Sequence, residues 1–122
     1  MRLTSEWLAR YNARNAPQTE PGDGPTIEES EIHKHILDYC KQHMWIAFHG
    51  SMAHKTKRTP GEPDFTILAD GGRVIMIECK AGKKKPSDDQ RDIIHWAGNL
   101  GHKIHVVRSV KDAAIILNSF RK

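Results

Sequence analysis

Glu78 and Lys80 stand two positions apart at the end of the run Arg73 to Lys80 (RVIMIECK), and Asp64 follows Gly61 and Pro63 just ahead of a second apolar run, Phe65 to Leu68. Side chains of a strand alternate faces, so Val74, Met76, Glu78 and Lys80 share one side and Ile75, Ile77 and Cys79 the other. An isolated charge is expensive to bury, and a carboxylate and an ammonium placed on one face where an apolar strand ends therefore point to a site. If the two runs pair as a hairpin, Asp64 falls beside Glu78. Two adjacent carboxylates suit a hard divalent cation such as Mg²⁺, with a lysine next to them. Taken singly, Asp64 reads equally well as a turn residue and Glu78 with Lys80 as an exposed ion pair worth little. It is the conjunction that favours a site.

Two basic segments flank these residues in sequence. Lys55, Lys57 and Arg58 lie in the polar stretch Gly50 to Gly61 (GSMAHKTKRTPG), and Lys83, Lys84 and Lys85 follow the strand. Both are placed to grip phosphates of a polyanion, against the ordinary alternative of a solvated charge run. Eight histidines raise the question of zinc, but no HExxH or Cys/His pattern exists, and His33 and His35 project apart on a helix; they read as surface or polyanion-facing residues. The cysteines, Cys40 and Cys79, form no CxxC, and a disulfide scaffold is not expected. Cys79 faces away from Glu78 and reads as a core residue rather than a nucleophile. Trp7, Trp45 and Trp96 read as packing residues.

Positioning such a group requires one small domain. The chain has 122 residues, 38% hydrophobic and 28% charged, which suits one folded unit and excludes wholesale disorder. Nineteen Lys and Arg against fifteen Asp and Glu leave a formal charge of +4, consistent with a polyanionic partner. No apolar run approaches the roughly 20 residues that cross a bilayer, and the polar start MRLTSEW lacks a signal peptide's apolar stretch; a soluble cytoplasmic protein is expected. Leu3, Trp7, Leu8 and Tyr11 fall at helical spacing, and Asn15 to Pro25 (NAPQTEPGDGP) reads as a linker, so residues 1–25 form an amphipathic helix and linker and 26–122 the main domain.

Within that domain, Thr26 can cap a helix running to about Gln42 with Ile32, Ile36, Leu37, Tyr39 and Cys40 as its apolar stripe. Trp45 to Phe48 suits a strand. Phe65 to Leu68 and Arg73 to Lys80 pair across the turn Asp70-Gly71-Gly72. Ser87 caps a helix whose buried face is Ile93, Ile94 and Ala97 and which Gly98 and Gly101 end. Ile104 to Val107 makes another strand, and Ser109 caps a last helix carrying Val110, Ala113, Ala114, Ile116, Leu117 and Phe120. The order is αβββαβα.

The elements Gly61-Glu62-Pro63-Asp64, Glu78-Cys79-Lys80 and Ser87 to Gln90 resemble the PD-(D/E)XK nuclease superfamily and, more narrowly, its virus-type replication-repair nuclease (VRR-NUC) domain, over about Glu29 to Val110. The resemblance implies an α/β fold with a mixed central sheet flanked by helices. It implies Mg²⁺ or Mn²⁺ held by Asp64, Glu78, the Cys79 backbone carbonyl and a first-helix glutamate. Glu29 is chosen for that role over Glu28 and Glu31, because it shares the face of Ile32 and Ile36. It further implies that Lys80 orients the attacking water and stabilises developing charge, and that Gln90 fixes that water or Lys80. The expected activity is metal-dependent endonuclease cleavage of DNA, with branched substrates such as four-way (Holliday) junctions favoured and a homodimer supplying two symmetric cuts. A noncatalytic DNA-binding module on the same fold and a sequence-specific restriction-type nuclease are the alternatives.

Overall fold

A computed structural model of the chain describes residues 27–50 and 59–121. The expected boundary at 25/26 and the amphipathic segment before it lie outside the described residues, as do Lys55, Lys57 and Arg58. The order of elements is α1 (Ile27–Gln42), β1 (Ile46–His49), β2 (Phe65–Leu68), β3 (Val74–Cys79), α2 (Asp88–Asn99), β4 (Ile104–Val107) and α3 (Val110–Ser119). The expected αβββαβα order and α/β class are those of the structure.

The strands form one mixed sheet in the order β1-β2-β3-β4. β1 and β2 are antiparallel, with Ile46 opposite Leu68. β2 and β3 are antiparallel, with Phe65 opposite Ile77. The three-residue 3-10 turn Asp70–Gly72 joins them, and Gly71 carries φ 72° there, a left-handed geometry that glycine adopts at no steric cost. β4 lies parallel to β3, with Glu78 opposite Val106, which requires the crossover that α2 supplies.

One sheet face carries the core. Ile67, Ile75, Ile77 and Phe65 are fully buried there with Ile32 and Ile36 of α1 and Ala113 and Leu117 of α3. Each such aliphatic side chain contributes about 1.5–3 kcal/mol by leaving water. Helix α1 buries Glu29, Ile32, His33, Ile36 and Cys40, a stripe at helical spacing that includes two polar residues. It closes with the Trp45 amide bonded to the Cys40 carbonyl and the Met44 amide to the Lys41 carbonyl, with Met44 at φ 61°. That pair of reversed bonds is a Schellman end, and it turns Trp45 back into the core.

The other face is only half covered. Helix α2 was expected to bury Ile93, Ile94 and Ala97, but none of its residues is fully buried and these three are half-buried. The helix packs over β4, so one side of it stays open to water. Over β1 and β2 the same sheet face exposes Ile46, Phe48 and Leu68, with Val74 beside them. Among the described residues no helix is long and apolar enough to cross a membrane.

Candidate active site

The end of β3 gathers the chemistry. Asp64 immediately precedes β2, and its Oδ2 accepts the buried amide of Cys79 at 2.9 Å, so the carboxylate is tied to the backbone of the neighbouring strand. Glu78 is 2% exposed and Asp64 9%, and the two interact directly. Burial alone would raise the Asp64 carboxyl; the His33 imidazole, the Cys79 amide and Glu78 outweigh it and hold the group below the usual carboxylate value. Asp64 is therefore an anion at neutral pH.

Gln90 of α2 reaches Glu78, its Nε2 donating to Glu78 Oε1 at 2.9 Å. The side-chain amide of Gln90, expected to fix a water or Lys80, is bonded here to Glu78 and is held by the start of α2. Gln90 Oε1 accepts from the Ser87 amide at 2.8 Å, and Ser87 Oγ accepts from the Gln90 amide at 3.2 Å. This reciprocal capping box aims the amide nitrogen at the carboxylate. Ser87→Ala is expected to lose about 1 kcal/mol of stability, lowering the melting temperature by about 4–8 °C in a domain of this size. Thermal denaturation followed by circular dichroism checks it, and an unchanged midpoint would show that the cap carries no weight.

Glu29 is 7% exposed, whereas Glu28 and Glu31 are exposed. Its Oε1 accepts the Ala81 amide at 3.4 Å, one residue beyond Lys80, so α1 does deliver this glutamate to the end of β3. Lys80 itself is half-exposed and its amide donates to the Val107 carbonyl at 2.9 Å, which continues the β3–β4 pairing by one residue. Alternation places its side chain on the Glu78 side.

Lys83, Lys84 and Lys85 are exposed. Lys84 Nζ approaches Glu29 Oε1 at 4.0 Å, so this lysine leans toward the carboxylates. Arg108, which sequence reasoning passed over, holds the segment in place: its Nη1 donates to the carbonyls of Gly82 at 3.1 Å and Lys84 at 2.5 Å. A lone arginine after a strand carries no sequence signal for such a role.

His33 corrects a further expectation. It is not a surface residue but 8% exposed, set edge-on to Phe65 and His49, with its Nε2 3.7 Å from Asp64 Oδ2. Its position four residues after Glu29 on one helix stripe was a readable signal. Cys79 is buried, and its thiol is pushed far above its ordinary value by burial first and then by the charges of Asp64, Glu78 and Glu29. It is a protonated core thiol, not a nucleophile.

Three buried carboxylates thus crowd the end of β3, each accepting from an amide neighbour. Their oxygen donors fit a hard divalent cation. The buried group His33, Asp64 and Cys79 could also hold a metal ion.

No family model matches the sequence. A protein of Acyrthosiphon pisum secondary endosymbiont phage 1, described as "Putative nuclease p44", is 31% identical over 91 residues, which is 75% of this chain and 92% of the phage protein. Among solved structures, one described as "VRR_NUC domain" superposes with a TM-score of 0.65 at 19% identity, covering 78% of this chain and 99% of that one. A second, "VRR_NUC domain protein", has a TM-score of 0.60 at 18% identity, covering 78% of this chain and 88% of that one. Both show the same fold. With the phage protein as a relative along 92% of that protein's length, the chain belongs to the family of that phage protein, and its fold is that of the VRR_NUC domain structures.

Proposed function

We propose that the protein is a metal-dependent endonuclease that hydrolyses phosphodiester bonds in DNA. The observation that carries this reading is the convergence at the end of β3: Asp64 bonded to the Cys79 amide, Gln90 bonded to Glu78 and Glu29 bonded to the Ala81 amide, with Lys80 between them in sequence. The phage relative's description as a nuclease supports it. Asp64, Glu78, the Cys79 carbonyl and Glu29 are the groups that would hold Mg²⁺ or Mn²⁺, which when bound supplies Lewis-acid activation of a water and of the phosphate. Gln90 fixes the orientation of Glu78 through a bond that the helix cap locks. Lys80 orients the attacking water and meets the charge that builds on the phosphate oxygens, an effect confined to the transition state.

The basic segments at Lys55, Lys57 and Arg58 and at Lys83 to Lys85 grip the backbone on either side of the cut. Neutralising Lys83, Lys84 and Lys85 together is expected to weaken DNA binding and to reduce the slope of log affinity against log salt by about 2–3, since each phosphate contact releases close to one counterion. Binding isotherms across a salt series check it, and an unchanged slope would make these lysines solvated surface.

The favoured substrate is branched DNA, the four-way junction above all, and the working form a homodimer. A domain this small has little surface for reading bases, and a symmetric junction needs two symmetric cuts, which a two-fold pair provides. The apolar side chains Ile46, Phe48 and Leu68 exposed on β1 and β2 offer surface for pairing. Light scattering together with a Mg²⁺-dependent cleavage assay on linear, flap and junction DNA tests this. The expected result is a particle of twice the chain mass that cuts both strands of a junction in one bound complex. A monomer that cuts linear duplex as readily as junctions would defeat the junction and dimer assignments, and no cleavage of any DNA would defeat the nuclease.

A further inference from the structure

On the core side of β3 a second set of donor atoms converges, different in kind from the oxygens proposed above. A ring nitrogen of His33, a carboxylate oxygen of Asp64 and the thiol sulfur of Cys79 lie within 4.8 Å of one another, and all three residues are buried. His33 Nε2 is itself buried without a hydrogen bond, and the 3.7 Å that separates it from Asp64 Oδ2 exceeds hydrogen-bond length. Leaving a buried polar nitrogen unsatisfied is costly, so the atom calls for an explanation. The imidazole is held there by edge contacts with Phe65 at 5.3 Å and His49 at 4.8 Å between ring centroids, which aim the nitrogen at the carboxylate. The side chain is only 10% exposed.

We propose that His33, Asp64 and Cys79 form a binding site for a zinc-class transition metal ion, which shares Asp64 with the catalytic centre and withdraws it from catalysis when filled. One nitrogen, one oxygen and one sulfur are ligands that Zn²⁺ takes together in tetrahedral geometry, with solvent in the fourth position, whereas Mg²⁺ takes oxygen alone. Zinc–ligand bonds of about 2.0–2.3 Å put tetrahedral donors about 3.3–3.8 Å apart. Closing from the observed spacing therefore asks for movements of about an ångström, within reach of side-chain rotation. Binding forms the zinc–sulfur bond and breaks the S–H bond, and the proton leaves to solvent. No electron is transferred. The inhibitory consequence rests on the nuclease reading above; the binding itself does not.

The test is titration of the full-length chain, freed of metal, with Co²⁺ and then Zn²⁺. Expected is a near-ultraviolet thiolate-to-cobalt absorption band that saturates at one equivalent per chain and is displaced by Zn²⁺. Cys79→Ser should abolish the band, His33→Gln should weaken cobalt affinity at least tenfold, and Cys40→Ser, whose cysteine lies elsewhere in the core, should leave it intact. Absence of the band in the parent, or its survival in Cys79→Ser, overturns the site. Should Cys79→Ser fail to fold, the ¹¹³Cd resonance of the Cd²⁺-loaded parent reports directly whether sulfur is a ligand, and a shift in the all-oxygen range overturns the proposal equally. Cleavage with excess Mg²⁺ is measured in parallel. One equivalent of Zn²⁺ should slow the parent at least tenfold, and His33→Gln should be slowed far less relative to its own zinc-free rate; equal inhibition of both overturns the shared use of Asp64. A parent that shows the band but never cleaves DNA would defeat the nuclease reading and leave the zinc site standing, and the reverse pattern would defeat only the site.

Discussion

Lys80→Ala is expected to cleave DNA at least about a thousandfold more slowly than the parent while keeping its fold, its metal affinity and most of its affinity for DNA. The separation follows from where the residue sits. Its link to the fold is a backbone bond, the Lys80 amide to the Val107 carbonyl, which alanine keeps. Its side chain is half-exposed, so truncation removes little packing, and surface changes of this kind usually stay within about 0.5 kcal/mol. What disappears is an ammonium that strand alternation puts on the Glu78 face, where the proposed mechanism has charge build in the transition state. Asp64→Ala makes the contrast, because it removes a proposed metal ligand and also strips the buried Cys79 amide of its acceptor. That second loss costs about 1–3 kcal/mol, so Asp64→Ala should lose metal, cleavage and stability together. Single-turnover rates at saturating Mg²⁺, fluorescence anisotropy with labelled DNA and thermal melts distinguish the two patterns. Cleavage by folded Lys80→Ala at close to the parent rate would remove the mechanism.

The second large effect is expected at Gly61. This residue has φ +82°, and a Cβ built there would stand 2.4 Å from the Asp89 carbonyl oxygen, 2.7 Å from its carbon and 2.9 Å from Ile93 Cγ1. The first two are backbone atoms of α2 and cannot rotate away. Gly61→Ala therefore combines a left-handed conformation, about 1 kcal/mol for a residue with a side chain, with an overpacking strain of about 1–3 kcal/mol. The sum of about 2–4 kcal/mol corresponds to a fall of roughly 10–30 °C in melting temperature for a domain of this size. The site should suffer as well. Gly61 lies three residues before Asp64, and Asp89 adjoins Gln90, so the close approach at Gly61 is what seats the start of α2 against the loop that carries Asp64. Displacing α2 draws Gln90 away from Glu78, and cleavage at temperatures where the variant is folded should fall by about tenfold or more. Gly98→Ala is the control, since a Cβ there meets nothing within 4 Å and the position is helical. Equal melting temperatures for Gly61→Ala and the parent would show that α2 yields without cost.

Much of this molecule is written in short-range patterns. The period of two in Arg73 to Lys80 separates Ile75 and Ile77, both fully buried, from Glu78 and Lys80 on the opposite side. The caps Ser87 and Ser109 start their helices as expected, each accepting a backbone amide three residues on. The turn at Asp70–Gly72 sets the β2–β3 register, and that register alone brings Asp64 beside Glu78. Such features are legible because strand alternation, helix capping and tight turns depend on residues within a few positions of one another.

Other features were decided only when distant elements packed. Glu29 and Ala81 are 52 positions apart and meet because α1 crosses the core face at the end of β3. His33 reads as a surface residue when taken by itself; its place on the stripe of Glu29 and Ile36 marks the inward face, but what it is buried against, Phe65 and His49, depends on where the sheet lies. Gln90 reaches Glu78 rather than Lys80 because the capping box, a local device, fixes the amide's direction, while the packing of α2 over the sheet selects what lies in that direction. The half-buried state of Ile93, Ile94 and Ala97 was likewise not readable. Periodicity identifies an apolar face, but how much of that face is covered depends on the width of the sheet and where the helix crosses it. The sequence by itself thus determined the elements, their order and the carboxylate pair across the hairpin, through interactions a few residues long. Tertiary structure alone decided which polar groups of α1 and α2 close around that pair, because those contacts exist only where apolar faces far apart in the chain have been driven together.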